Sequence, residues 1–432
     1  MRTAGFLCAL ALLFLRFSFL PETIEYFTGI HTYLLYIFAP PAFLAVVASS
    51  GLKRAFYYTP SRFWLGYVVW MILAIPFSSW RGDSLAVVLS YLRTDFIMLL
   101  VTAGLAVNWA DCRLMIYVIA SSAVVNMVTA RLLMARAAEG DRISLQSNGM
   151  ISDPNDLSAH LLLVLPCLVF VMLRPRSPMV VRLLSGSGIL YGIFLLLRSG
   201  SRGGFLALSF TLLLAIIIAT PRQRLIAALA VPAMLVALIA ALPEPTWNRL
   251  KSISDNSDTT EAAASSREAR IYLLKKSIEF TVQHPIFGVG PGQFQNFEGI
   301  QAIAEGRAGN WHATHNTFTQ VSSECGIPAL VFFLGAMISS FRALWRAQRK
   351  AAAIKKKEIA VAVSCVTLSL AGYTAASLFL ANGYRFQFLA ISGLVVSMYR
   401  ILRKYPVAQP LREQLSEEIR PIDDTEPHAL NV

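Results

Sequence analysis

Three features of the sequence predict an all-α fold: a polytopic membrane helix bundle of about twelve transmembrane helices with one large loop on the outer side. Of the 432 residues, 56% are hydrophobic and 15% charged, and the mean hydropathy is +0.56, a balance foreign to a soluble globular chain of this size. Several apolar runs reach the roughly 20 residues that a helix needs to cross about 30 Å of hydrocarbon. The alternation of apolar and polar residues that marks an outer-membrane barrel is missing from them.

The apolar runs begin near residues 3, 30, 62, 85, 113, 156, 180, 203, 223, 315, 358 and 384. The first, in MRTAGFLCALALLFLRFSFLPE, has the basic start of a signal peptide but no small-residue cleavage site, so it is expected to remain as a span. With the N-terminus inside, the alternate loops collect 16 basic residues, seven of them between Arg342 and Lys357, against six in the short outside loops. The positive-inside rule selects this orientation and leaves both termini cytoplasmic. The net charge of +13 is then a matter of topology, and nucleic acid is not an expected partner.

Residues 1–242 read as spans one to nine, 243–314 as an outer loop, 315–404 as spans ten to twelve and 405–432 as a cytoplasmic tail. The tail is proline-rich and acidic, with too few apolar groups to fold alone. The outer loop, periplasmic in a Gram-negative cell, is far longer than connections in compact bundles. Its first part, SISDNSDTTEAAASS, reads as a flexible strap, where Asp255 and Asp258 could meet a divalent ion or simply be solvated. Its second part carries Ile271, Leu274, Ile278 and Val282 at helical spacing, with Ser265 or Ser266 as cap and Pro285 beyond the end. An amphipathic helix on the outer membrane surface follows.

Arginines on the outer side run against the orientation rule and mark candidate chemistry. Arg198 and Arg202 flank the small-residue turn in LLLRSGSRGGFLAL, where guanidinium forks and backbone N-H groups could hold an anion. They could also be snorkelling arginines at a helix end. Arg267 and Arg270 lie one turn apart near the start of the loop helix, either adding to its dipole field or forming a solvated face. In HPIFGVGPGQF, Gly288, Gly290 and Gly292 fall at every second position, a pattern for tight turns with close backbone approach rather than for a dinucleotide.

His312 and His315 are three apart, yet no third ligand stands at a metal spacing, and the five cysteines show no paired spacing either. No metal or other cofactor is expected. His315, followed by Asn316 at the head of a span, reads better as a base facing an outer cavity. Glu324, nine residues on, is expected to pair with an arginine or to hydrogen-bond another span, since a carboxylate at that depth needs a partner. SDPNDLSAH offers Ser152 or Asp153 as helix cap with Pro154 at the first helical position. Arg16, Arg93, Asp95 and Arg131 lie within apolar runs, and Arg93 and Asp95 each call for a partner on another span.

Four pieces in this order, DPNDLSAHLLLVLP, RSGSRGGFLAL, an arginine-led helix ending in HPIFGVGPGQF, and HNTF followed by SECGIPALVFF, resemble the bacterial O-antigen ligase and O-antigen polymerase superfamily of membrane glycosyltransferases. The resemblance runs in detail from Ser152 to Leu334. It implies an inner-membrane, metal-independent enzyme that takes a glycan from an undecaprenyl-pyrophosphate carrier and gives it to an acceptor hydroxyl in the periplasm. By matched position it implies His315, Arg270 and Arg202 as catalytic residues; beside them Arg198, Arg267, Asn316, Arg142 and Asn155 are expected at the substrate and Glu324 and the three glycines in support. The Asp-Pro-Asn segment departs from the family's more frequent Asn-Pro-Asn.

The acceptor could be a lipid A core sugar, another carrier-linked glycan or a protein hydroxyl, making the chain a ligase, a polymerase or a protein O-oligosaccharyltransferase. From another class, a transporter could string Arg93, Asp95 and Glu324 along a path, but transporters often show two matching halves and the sequence shows none.

Overall fold

The computed structural model describes residues 1–134, 153–244, 246–247, 261–307 and 311–406. Arg136, Arg142 and Ser152, the strap with Asp255 and Asp258, and the tail beyond Pro406 lie outside the described residues.

All the described secondary structure is helical. In chain order the helices are α1 (Arg2–Ser18), α2 (Leu20–Thr28), α3 (Leu34–Ala48), α4 (Gly51–Phe56), α5 (Thr59–Ala74), α6 (Arg81–Ser90), α7 (Ile97–Leu105) and α8 (Trp109–Met134). Then come α9 (Pro154–Leu173), α10 (Met179–Arg198), α11 (Arg202–Ile218), α12 (Pro221–Ala240), α13 (Glu261–Gln283), α14 (Phe294–Ala304), α15 (Thr317–Ala353), α16 (Lys357–Ala376) and α17 (Phe386–Arg403). A π-helical turn, Tyr91–Phe96, joins α6 to α7.

Among the described residues eight helices are long and apolar enough to cross a membrane, or up to nine if α1 and α2, bent by 58°, form one broken span. The chain is a multi-pass membrane protein, but twelve full spans are not what it displays. The difference lies in three shorter apolar helices, at Leu34–Ala48, Arg202–Ile218 and Val231–Ala240. At 1.5 Å per residue even the 17 residues of α11 rise only about 26 Å. Pro40 and Pro41 stand inside α3, and Arg222 and Arg224 open α12. An apolar run counted along the sequence includes the turns beside it; a helix does not.

Small residues let the helices close on one another, as expected where lipid removes the hydrophobic drive between them. Gly5 of α1 meets Ala45 of α3, and Gly393 of α17 meets Thr102 of α7. The centre is a column of edge-to-face rings, Trp64 and Tyr67 of α5 on Phe333 of α15, which meets Phe388 of α17 at 5.4 Å. Arg16 of α1 and Asp95 in the π-helical turn form a buried ion pair at 2.9 Å, so each offsets the other's cost of burial.

The longest helix, α15, is broken. Gly326 has φ 83° and ψ 171°, which strands backbone groups on either side of the break. The glycine turn between α13 and α14 fills that gap: Val289 N donates to Ser323 O at 2.8 Å, Gly290 N to Glu324 O at 2.9 Å, and Ile327 N to Pro285 O at 2.8 Å. Trp70 Nε1 donates to both Ile286 O and Cys325 O, clamping turn to break. Irregular backbone is tolerated here because each side satisfies the other.

Gly288, Gly290 and Gly292 have φ of 67°, 117° and 76°, and a methyl group on Gly290 would collide with Ser78. Gly290→Ala is therefore expected to destabilise the protein by more than about 1 kcal/mol, read as a lowered melting temperature of the purified protein in detergent. An unchanged melting temperature would show that the turn does not hold the broken helix.

The loop helix differs from expectation at both its start and its face. It begins at Glu261 and runs through Ser265 and Ser266 rather than being capped by them, consistent with the helix propensity of Ala262, Ala263 and Ala264. Leu273, Ser277 and Phe280 are its buried residues, and Thr281 Oγ1 bonds Ser322 Oγ of α15 at 2.8 Å. The apolar set at helical spacing, from Ile271 to Val282, stays exposed on the other side.

Candidate functional site

Several of the predicted residues, His315, Asn316, Asn155, Arg202, Arg198 and Arg270, lie on four chain segments that approach one another. The first is the head of α15. Asn316 is its cap: Oδ1 accepts from Phe318 N at 2.9 Å and from Thr319 N at 3.1 Å. Its Nδ2 donates to Leu378 O at 3.0 Å, and Thr317 Oγ1 donates to Leu380 O at 2.7 Å, tying α15 to the turn between α16 and α17. These contacts occupy the Asn316 side chain in positioning its neighbour. His315 stands just outside the helix in a left-handed conformation, φ 51°, with its ring half-buried.

The second segment is the α16–α17 turn, which ends on Arg385. Arg385 Nη2 lies 3.7 Å from Asp156 Oδ2 at the start of α9. There Asp153 is the cap, accepting from Asn155 N at 2.9 Å and from Asn155 Nδ2 at 2.8 Å, with Pro154 at the first helical position. Asn155 is buried within this turn. The third segment, the α10–α11 turn, rests on α9 through Ser158 and Ser199, whose hydroxyls are 2.7 Å apart. It carries Arg202, half-buried, and Arg198, whose Nη1 donates to Thr246 Oγ1 at 3.1 Å. Gly203 lies against Phe379 of the α16–α17 turn, so Arg202 and Asn316 border the same turn.

The fourth segment is α13, which brings Arg270. Burial pushes the His315 imidazole below its ordinary pKa, the Arg270 charge pushes it further down, Asp153 acts the other way, and His312 again lowers it. Burial and the Arg270 charge thus outweigh Asp153 and favour the neutral form of His315, the one that can accept a proton.

Glu324 sits apart from this cluster, 3% exposed in the broken helix. Its Oε2 accepts from Gly292 N at 3.1 Å, and Tyr384 and Gln320 also hydrogen-bond the carboxyl. It joins glycine turn to helix break, and among the described residues no arginine forms an ion pair with it. The side chain of Arg267 and the whole of Arg142 are outside the described residues. Among the described residues no three His, Cys, Asp or Glu side chains gather as metal ligands. Arg385 is the member of the cluster that sequence reasoning passed over, although it was countable as an arginine on the wrong side of the orientation rule.

The role of Asn316 is separable by substitution. Asn316→Ala is expected to cost about 0.5–2 kcal/mol of stability, whereas Asn316→Asp, which keeps the capping oxygen, retains most of it. Thermal unfolding of the two purified variants checks this, and equal loss in both would count against the capping role.

Fold and site together define a multi-pass helical membrane protein with a polar, arginine-bearing cluster at one end. Residues 187–334 match the family described as O-Antigen ligase. The matched stretch runs from α10 into α15 and takes in Arg198, Arg202, Arg267, Arg270, the glycine turn, His315 and Glu324. Asn155 and Arg385 fall outside that match. No curated protein matches the chain.

Proposed function

We propose that the chain is an inner-membrane glycosyltransferase of the O-antigen ligase type, which moves a glycan from an undecaprenyl-pyrophosphate carrier to an acceptor hydroxyl in the periplasm. The observation that carries this reading is the meeting of His315 with Arg270. His315 takes the proton of the acceptor hydroxyl as its oxygen attacks the anomeric carbon. The pyrophosphate leaves from the opposite side and the anomeric configuration inverts.

Charge grows on the leaving pyrophosphate as the sugar-oxygen bond breaks. Arginines fixed in place beforehand therefore stabilise the transition state more than the ground state. Arg270 and Arg202, supported by Arg198 and Arg267, take that role and make a metal unnecessary to the scheme. An apolar lateral cavity of about 590 Å³, lined by Leu206, Phe210, Phe318, Ala371, Leu378 and Phe379, starts beside the turn that borders Arg202 and Asn316. It supplies a path for the carrier's polyprenyl chain, with the pyrophosphate at its polar end.

In this scheme the termini are cytoplasmic, the exposed apolar side of α13 lies on the outer leaflet, and the three shorter helices complete the bundle. The ligase reading comes first because of the family match. A polymerase or a protein O-oligosaccharyltransferase would use the same site with another acceptor. The deciding experiment supplies purified protein with a carrier-linked glycan and candidate acceptors and looks for the joined product. Formation of product by wild type but not by the His315 and Arg270 variants is expected, and full product from both variants would remove the mechanism.

A further inference from the structure

A second cavity, of about 730 Å³, opens between α1, α3 and the α6–α7 helix. Its walls are mostly apolar, Leu12, Leu35, Phe43 and Leu89 among them, and its two charged lining residues are Arg16 and Arg93. Of its lining residues Tyr36, Phe43 and Leu89 are large and exposed, as on a surface that faces lipid. Arg93 is 12 positions from Arg81, roughly 18 Å along the helix and well inside the span. Among the described residues its guanidinium has no hydrogen bond or ion pair.

Arg16 is 6% exposed and bonds Asp95 through Nη2, yet its Nε has no partner. Glu22 is within electrostatic reach of Arg16 without a hydrogen bond to it, and Asp95 is further engaged by Thr94 Oγ1 at 2.6 Å. An unpaired arginine lining an apolar recess is costly at this depth unless an anion enters.

We propose that this cavity is a binding site for an anionic glycerophospholipid of the surrounding bilayer, one chain lying along Leu12, Leu35 and Leu89 and the phosphate meeting Arg93 in the field of Arg16. Charge complementarity selects an anionic head, and continuity with the lipid-facing surface selects a bilayer lipid. The recess neighbours the His315 cluster, since Asp95 is also within electrostatic reach of Arg385, but the lipid proposed for it takes no part in the transfer reaction.

The test is native mass spectrometry of the full-length protein, released from detergent after incubation with phosphatidylglycerol or phosphatidylcholine. Wild type is expected to retain phosphatidylglycerol in preference. Arg93→Gln is expected to lower that retention about tenfold, a change of about 1.4 kcal/mol. Ala39→Trp, which fills the cavity without altering a charge, is expected to lower it as well, and it keeps the test open should the arginine variant fold poorly. Equal retention of the two lipids by wild type overturns the proposal, as does undiminished phosphatidylglycerol in either folded variant. Displacement of phosphatidylglycerol by equimolar undecaprenyl phosphate also overturns it, by making the recess a carrier site.

Discussion

Replacing His315 by asparagine is expected to reduce glycan transfer by about 10²–10⁴-fold, the range over which a positioned general base contributes. Asparagine is the more informative substitution here. His315 occupies a left-handed backbone conformation at φ 51°, which asparagine adopts more readily than alanine, so removal of the base is not confounded by strain at the head of α15. The protein should insert and unfold as wild type does. Wild-type activity is also expected to depend on pH in one direction. The neutral imidazole is the working form, so the rate should rise with pH through the His315 pKa and then level off. Burial and the Arg270 charge both hold that pKa below 6.5, which puts the rising limb on the acid side of 6.5 and a plateau at neutral pH. A rising limb centred above 6.5, or one that persists unchanged in the residual activity of His315→Asn, assigns the titration to another group.

The membrane class and the helical content were legible in the apolar runs, because hydrocarbon leaves few structures that satisfy the backbone. The number of full spans was less so. A run of apolar residues around Leu34 or Pro221 has the composition of a span, and only helix ends reveal that α3 is 15 residues long or that a pair of arginines opens α12. The role of the glycines could be anticipated, but their partner could not, since the break at Gly326 depends on backbone contacts made about 40 residues away. On α13, spacing marked Ile271, Leu274, Ile278 and Val282, while the bundle took Leu273, Ser277 and Phe280. In water the apolar face turns inward; beside a membrane either face can find an apolar neighbour.

The site divides in the same way. Single residues with unusual placement, an arginine outside or a histidine at the mouth of a span, could be named from the sequence, whereas relations between segments could not. Asn316 looked like a group for substrate and is occupied as a cap. Arg385 looked like one more loop charge and reaches Asp156 at the head of α9.

Replacing Arg270 by glutamine is expected to have two effects at once, and their combination tests the site as a unit. Loss of one preorganised cation at the leaving pyrophosphate should lower kcat by about 10²–10³-fold, about 2.7–4 kcal/mol of transition-state stabilisation. Independently of that, removing the charge that helps to depress the His315 pKa should move the acid limb of the remaining activity to higher pH. A purely structural arginine would lower the amount of folded protein without moving the limb. Arg270→Lys separates charge from geometry. It should leave the limb near its wild-type position while recovering only part of kcat, because an ammonium lacks the planar fork that engages two phosphate oxygens. Since both residues act on the same transition state, the His315→Asn, Arg270→Gln double variant should lose less than the product of the single losses. Strict multiplicativity, with an unmoved limb in Arg270→Gln, would mean that the two groups do not share a site, and the proposed mechanism would have to be abandoned.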